Sequence, residues 1–567
     1  MKKLLFETGF LILIFLCVIF LSCRERNPIP SKNAINELNL KKGAVISCAQ
    51  PGKQFGQVEF AFSGNEYIKK DFNLGIALLH SFEYDEAEKV FAGIIEKEPA
   101  CAMAYWGVAM CNYHPLWTPP SVPELKKGAK AIEIAGSIQQ KTERETAYID
   151  ALASFFSRWE KVDHKTRSAY FERLMQKLYK AFPNDKEAAV FYALALDATA
   201  DPADKSFKNQ KNAGAILTAL YPNEPSHPGI AHYIIHTYDY PDLATLALPV
   251  ARKYASIAPS SAHALHMPSH TFTMLGLWDE CIQSNLASVA AAKCYAEESG
   301  IKGHWDEELH GMDYLVYAYL QTGENDLAQK QWDYLKTMDT VFPVNFKVAY
   351  AFAAIPSRYL LENKNWEEAA NLLIQPVNFP WKNFPWQKAN IYFTRLMGAV
   401  HTGKLDAARS ELQQLHLLHD TLAAQQDDYK ANQVQIQIKT AEAWIAYKEG
   451  NEPKALILMN EAAELEDQTE KHPVTPGAII PARELLGDML LAMNNSEKAL
   501  EAYETNLKKH PNRFNGLYGA GLAAEKSGHT EKASMYYRQI VKSTSPSASQ
   551  RPELTAINQF LKKHPQL

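Results

Sequence analysis

Histidine is the residue with which this chain could do chemistry. Eight of its 18 histidines fall in one stretch: His227, His232, His236, His263, His266, His270, His304 and His310. On a helix, His263, His266 and His270 stand at i, i+3 and i+7, so their rings share one face within about 60°. His232 and His236 form an i, i+4 pair, one turn apart on a common side. Imidazole ligates metals, carries protons near neutral pH and lines polar grooves. Three imidazoles with a carboxylate such as Asp313 would suit zinc, iron or copper. The middle of HYIIH is apolar and no HExxH occurs, so the general base of a metalloprotease is missing. There is no GxSxG, no glycine-rich phosphate loop and no dinucleotide fingerprint.

The elements that must position these rings are helices. Alanine, leucine, tyrosine and glutamate are frequent and long Val/Ile/Thr alternations are rare, which reads as an all-α fold. A chain of 567 residues is too long for one compact core, so several domains or a modular array are expected. Net charge is −5 with pI near 6.4, and lysines and arginines are dispersed, which argues against a nucleic-acid surface.

The first residues read as a targeting segment. Lys2 and Lys3 precede an apolar run from Gly9 to Leu21, and Ser22-Cys23 follows. This arrangement resembles a bacterial lipoprotein signal, with Phe20 where the pattern prefers leucine. The resemblance implies cleavage before Cys23 and a lipid on its thiol, hence a cell-envelope protein held to a membrane outside the cytoplasm. An uncleaved anchor helix is the alternative. Residues 1–22 are thus read as signal, and 23–65 as tether and irregular lead-in with a short strand at 57–62. Five cysteines remain (Cys48, Cys101, Cys111, Cys281, Cys294), none in a CxxC pair. A zinc knot is therefore disfavoured, and any disulfide pairing stays open.

From Tyr67 onward the texture is repetitive. Small residues (Gly75, Ala87) would let two helices approach, Leu74, Phe91 and Ile94 would fill the seam, and Pro99 would stop the second helix. Helical patterns follow at 124–138, 142–158, 164–182, 185–199 and 207–220. Later, a turn residue precedes a small residue by five at Gly276–Cys281, Gly323–Ala328, Gly403–Ala408, Gly450–Ala455 and Gly528–Ala533. Lys364–Ala369 and Asn494–Ala499 repeat the interval without glycine. Asp239–Ala244 fits loosely, with Pro241 opening the second helix. This spacing resembles the tetratricopeptide repeat, a 34-residue helix–turn–helix unit. The resemblance implies a right-handed solenoid with a concave face. The array is read as residues 66–230 (degenerate pairs), 231–345 (His-rich repeats) and 346–545 (C-terminal repeats), with a cap at 546–567.

The resemblance also implies that certain first-helix positions face the groove. Phased on the turn residues, these are His80, His236, His263, His266, His270, His310, Asp313 and Tyr317, with His232 at a packing position. Three readings follow. The rings are structural groups in a polar groove, or they line a binding site for a protein, peptide or small ligand. Alternatively, His232, His236, His263, His266, His270, His310 and Asp313 supply a transition-metal site (zinc, iron or copper), with or without catalysis. Glycan capture is a further class, raised by the many tryptophans and tyrosines, although aromatics at helical spacing usually form core. Glu484 and Asp488, groove-facing by the same phasing, could do acid/base work, although two acids on a helix usually read as solvated. The run His304-Trp305-Asp306-Glu307-Glu308 reads equally as charges and an aromatic at the groove mouth or as a solvated helix start. Asn512 and Arg513 are expected to bond exposed backbone groups at a helix restart.

Overall fold

The computed structural model describes residues 29–48, 54–202, 204–544 and 551–566. The signal segment and Cys23 lie outside the described residues. Among the described residues no helix is long and apolar enough to cross a membrane.

The fold is all-α, a succession of antiparallel helix pairs in two compact units. One unit comprises the described residues up to Val45 together with Gln57–Ala200; the other comprises Ile46–Gly56 and Asp201–Leu567. In the first unit, Glu66–His80 pairs with Tyr84–Lys97, and the pairs continue to Lys186–Ala198. Gly75 and Gly107 flank the Phe91 ring, and a Cβ on either would stand 2.7 or 2.5 Å from it. The small residues therefore make room for the seam, as the spacing predicts. Residues 57–62 form no strand.

In the second unit the pairs run from Pro228–Thr237 with Ala244–Ile257 to Phe514–Lys526 with Thr530–Ser543. The turn-to-small-residue interval has a backbone cause. Gly276, Gly323, Gly403, Gly450 and Gly528 all have positive φ, and so do Lys364 (55°) and Asn494 (59°), where glycine is replaced. Each ends its first helix in the left-handed region, which turns the chain back on itself. Five residues on, Cys281, Ala328, Ala369, Ala408, Ala455, Ala499 and Ala533 are all fully buried between the paired helices. Pro241 sits in the turn ahead of Ala244–Ile257 and does not open that helix. A two-residue parallel bridge joins His304–Trp305 to Val341–Phe342. Cys48 and Cys294 form a disulfide, and Cys101, Cys111 and Cys281 are buried free thiols.

The array of this unit closes on itself. Arg513 is fully buried and donates from Nε to Glu484 Oε2 (2.9 Å) and from Nη2 to Glu362 Oε1 (2.7 Å). Its Nη1 donates to Tyr317 Oη at 2.8 Å. Asn512 Nδ2 donates to Gly276 O at 3.1 Å, and Trp278 Nε1 donates to Asn512 O at 2.8 Å. The expectation for Arg513 and Glu484 is corrected here: they form a buried ion pair, because the C-terminal repeats fold back onto the inner helices. The loop 468–481 then crosses the interior as a strap. Lys471 Nζ reaches Asp239 Oδ2 (3.0 Å), Tyr314 Oη donates to Val474 O (3.2 Å) and Arg358 Nη2 donates to Gly477 O (2.8 Å).

Candidate metal centre

Three successive inner helices of the second unit bring six histidines together. Pro228–Thr237 opens on His227, whose Nδ1 accepts the Ile230 N–H, and carries His232 and His236. The next inner segment is two short helices, Ala262–His266 and Pro268–Leu275, interrupted where Pro268 has no N–H to donate. It carries His263, His266 and His270. Asp306–Gln321 carries His310.

The rings form two triads. In His232, His236 and His263, and again in His266, His270 and His310, one ligating atom per residue lies within 4.8 Å of the others. His232 Nε2 stands 2.8 Å from His236 Nε2 and 3.1 Å from His263 Nε2. His266 Nε2 stands 3.1 Å from His270 Nε2, and the His266 and His310 ring centroids are 4.2 Å apart. The triads adjoin, with 6.2 Å between the centroids of His236 and His270. Nitrogens at tetrahedral angles about an ion 2.0–2.1 Å away would be roughly 3.3 Å apart, so these spacings are close to those of ligands.

The surroundings fix the tautomers of one pair. Asn285 Nδ2 donates to Cys281 O (2.8 Å), which turns Asn285 Oδ1 toward His266 Nδ1 at 2.7 Å. That Nδ1 must carry the proton. His270 Nδ1 faces Asp239 Oδ2 at 3.1 Å and is likewise the donor. The Tyr314 hydroxyl, 3.4 Å from His270 Nε2, spends its proton on Val474 O. Two lone pairs, on His266 Nε2 and His270 Nε2, therefore point at each other across 3.1 Å. Burial, reinforced by neighbouring imidazoles, holds His236, His266 and His310 well below the ordinary imidazole pKa. Burial also lowers His270, against the upward pull of Asp239. Neutral rings with converging lone pairs form a donor set for a cation.

Not every predicted site residue joins this centre. Asp313 is engaged by Arg358 Nη1, and burial raises its pKa to about 6. It is an ion-pair partner and not a fourth ligand. Tyr317 instead accepts from Arg513 and packs edge-on against Trp278. His80 belongs to the first unit, where its Nε2 meets Glu187 Oε2 at 2.8 Å. His232, expected at a packing position, is a full member of its triad. The run 306–308 is not a solvated helix start but buried: Lys347 pairs with Asp306 (2.7 Å) and Glu307, and His304 Nδ1 with Glu308 (2.8 Å). Asp488 accepts the Tyr503 hydroxyl at 2.7 Å. Sequence reasoning missed Asn285, Asp239 and Tyr314. Only the repeat register could have pointed to Tyr314, the residue after the predicted Asp313.

The comparisons bear on the scaffold. A family model described as tetratricopeptide repeat matches residues 485–548. Two C-terminal helix pairs of this chain thus match the tetratricopeptide-repeat pattern. A search of curated proteins returns no match. Among solved structures, the human IFIT1 dimer with m7Gppp-AAAA is 11% identical over 82% of this chain and 94% of its own, with a TM-score of 0.33. Yeast Tom70 is 12% identical over 88% of this chain and 96% of its own, with a TM-score of 0.32. The tetratricopeptide-repeat domain of P58(IPK) is 12% identical over 82% of this chain and 99% of its own, with a TM-score of 0.20.

Proposed function

We propose that this protein binds transition-metal ions through two adjoining histidine triads, His232/His236/His263 and His266/His270/His310. One observation carries the reading: the Nε2 lone pairs of His266 and His270 face each other at 3.1 Å while both Nδ1 atoms are committed as donors. Two neutral rings so arranged repel each other unless a cation lies between them. A purely structural role would pair a donor with an acceptor. All-imidazole sets suit zinc or copper, with iron the third candidate. When bound, such an ion supplies Lewis acidity, or one-electron chemistry if it is copper or iron. The protein's part is to hold the rings, keep them neutral and keep the site dry.

Peptide capture along the inner helices is the second reading. It has less support, because the groove-facing Asp313 and Tyr317 are already paired with Arg358 and Arg513, and the strap crosses the interior. We place the protein in the cell envelope, lipid-anchored at Cys23. The Cys48–Cys294 disulfide fits an oxidising compartment outside the cytoplasm.

Elemental analysis after loading with zinc or copper and dialysis tests this. About two equivalents are expected, falling to about one in the His266→Ala/His270→Ala double variant. Release should accompany acidification from about pH 7 to 5, as protons compete for imidazole. Folded protein that retains no metal, or a variant that retains the full amount, would refute the proposal. A metal-free protein that still captures one partner through its inner helices would favour the scaffold reading.

A further inference from the structure

Glu307 lies against the first triad, His232/His236/His263, without being one of its rings. It stands one turn before His310 on Asp306–Gln321, at i and i+3, and His263 and His266 keep the same spacing on Ala262–His266. The two segments therefore meet in two rungs. His266 and His310 form one, with ring centroids 4.2 Å apart. Glu307 and His263 form the other, with Glu307 Oε2 at 3.8 Å from His263 Nδ1.

This carboxylate is half used. Its Oε1 accepts from Lys347 Nζ, whereas Oε2 is buried and accepts no hydrogen bond among the described residues. Glu307 is only 8% exposed, so an idle oxygen there is costly. Burial alone would raise the pKa of the carboxyl, but Lys347 holds it well below the ordinary range, so the idle oxygen belongs to an anion. The donor it faces is His263 Nδ1, and a shift of about 1 Å would bring the two within hydrogen-bond reach.

The second triad shows what such a group does. Asp239 Oδ2 lies behind His270, against its Nδ1, and the same oxygen takes Lys471 Nζ. Each triad thus has a carboxylate outside one of its rings, and each carboxylate is tied to a lysine. An acceptor on Nδ1 commits the proton to that side and leaves the Nε2 lone pair for an ion. His263 Nε2 faces His232 Nε2 at 3.1 Å, just as His270 Nε2 faces His266 Nε2 at 3.1 Å. A cation on Nε2 makes the opposite N–H a stronger donor, which draws the idle oxygen in.

We propose that Glu307 is the positioning residue of the first metal site: it accepts the Nδ1 proton of His263 when an ion binds, fixing that ring and raising the basicity of its Nε2. The inference rests on the metal reading of the two triads.

Competition titration of the full chain with zinc and a chromophoric chelator tests it. In Glu307→Gln one site should weaken by about 10–100-fold while the other keeps its affinity. In a His263→Ala background, Glu307→Gln should change neither site further. Cobalt loading gives a second readout: at saturation the visible absorption of wild type and Glu307→Gln should match, because Glu307 is not itself a ligand. Should Glu307→Gln fail to fold, Glu307→Asp keeps the charge for Lys347 but shortens the reach to His263, and it should weaken the same site by about threefold or more. Two sites of wild-type affinity in a folded Glu307 variant overturn this inference alone. So does a loss that persists in the His263→Ala background, and so does a changed cobalt spectrum, which would make Glu307 a ligand. A wild-type chain that binds no metal overturns the inference together with the metal reading.

Discussion

An imidazole whose Nδ1 is committed to an acceptor has one lone pair left, and its direction decides what the ring can do. In His266 the committing group is Asn285, and in His270 it is Asp239. These partners fix tautomer and ring orientation, and removing such a partner typically costs 10–100-fold in metal affinity. Asn285→Ala should therefore weaken one of the two sites by about that factor in a competition titration with a chromophoric chelator, leaving the other unchanged. Equal affinity at both sites in the variant would mean that Asn285 does not orient a ligand. His232 was phased to a packing position, but the other five of the six histidines were legible in the sequence because helical spacing and repeat phase put them on inner faces. Their division into two triads was not. His263 and His270 are seven residues apart, a rise of roughly 10.5 Å, so they sit at different levels and meet different neighbours. Nor could spacing reveal that Asp313 is claimed by Arg358 from another helix.

At the scale of elements, the strap 468–481 and the Arg513 clamp decide what the interior can accept. His472 lies in the strap, its ring stacked 4.6 Å from Phe346 and 5.5 Å from Trp386. Burial pushes its pKa down to about 3. The folded strap therefore holds His472 neutral, whereas the unfolded chain takes up a proton near 6.5. The contribution is fully present above pH 6.5 and is lost as pH falls from there toward 3. Hydrogen exchange of residues 469–480, corrected for intrinsic rates, should show less protection at pH 5.5 than at pH 7.5. His472→Phe should abolish the difference; a pH effect that survives the substitution must come from another group. Arg513 makes the second prediction at this scale. Removing one partner of a buried ion pair leaves an uncompensated charge, at a cost of about 3–5 kcal/mol. Arg513→Ala should lower unfolding stability by about that much in a denaturant titration. A loss below 1 kcal/mol would mean that Glu362 and Glu484 are neutral or solvated. The helices themselves were legible: the reading at 164–182 corresponds to His164–Ala181, and that at 207–220 to Lys208–Leu220. The strap was not, because a Pro-rich loop carries no signal of what it crosses.

For the whole molecule, metal binding and stability are linked. An ion that binds only the folded chain stabilises it by RT ln(1 + [L]/Kd), about 2.7 kcal/mol at one hundred times Kd. Thermal unfolding with and without zinc or copper should show that gain. Hydrogen exchange should place the added protection in Pro228–Thr237, Ala262–Leu275 and Asp306–Gln321, which carry the ligands. No shift in a protein that elemental analysis shows to be loaded would mean that the metal also binds unfolded chain. By itself, the sequence determined the helix pairs, their turns and the inner-facing register, because left-handed turn residues and small seam residues act within one repeat. Tertiary structure alone decided that the second unit closes on itself through Arg513, that its own strap crosses the interior, and that six imidazoles sort into two triads. Those outcomes rest on contacts between distant residues, such as Lys471 on Asp239, 232 positions apart, and no local pattern encodes them.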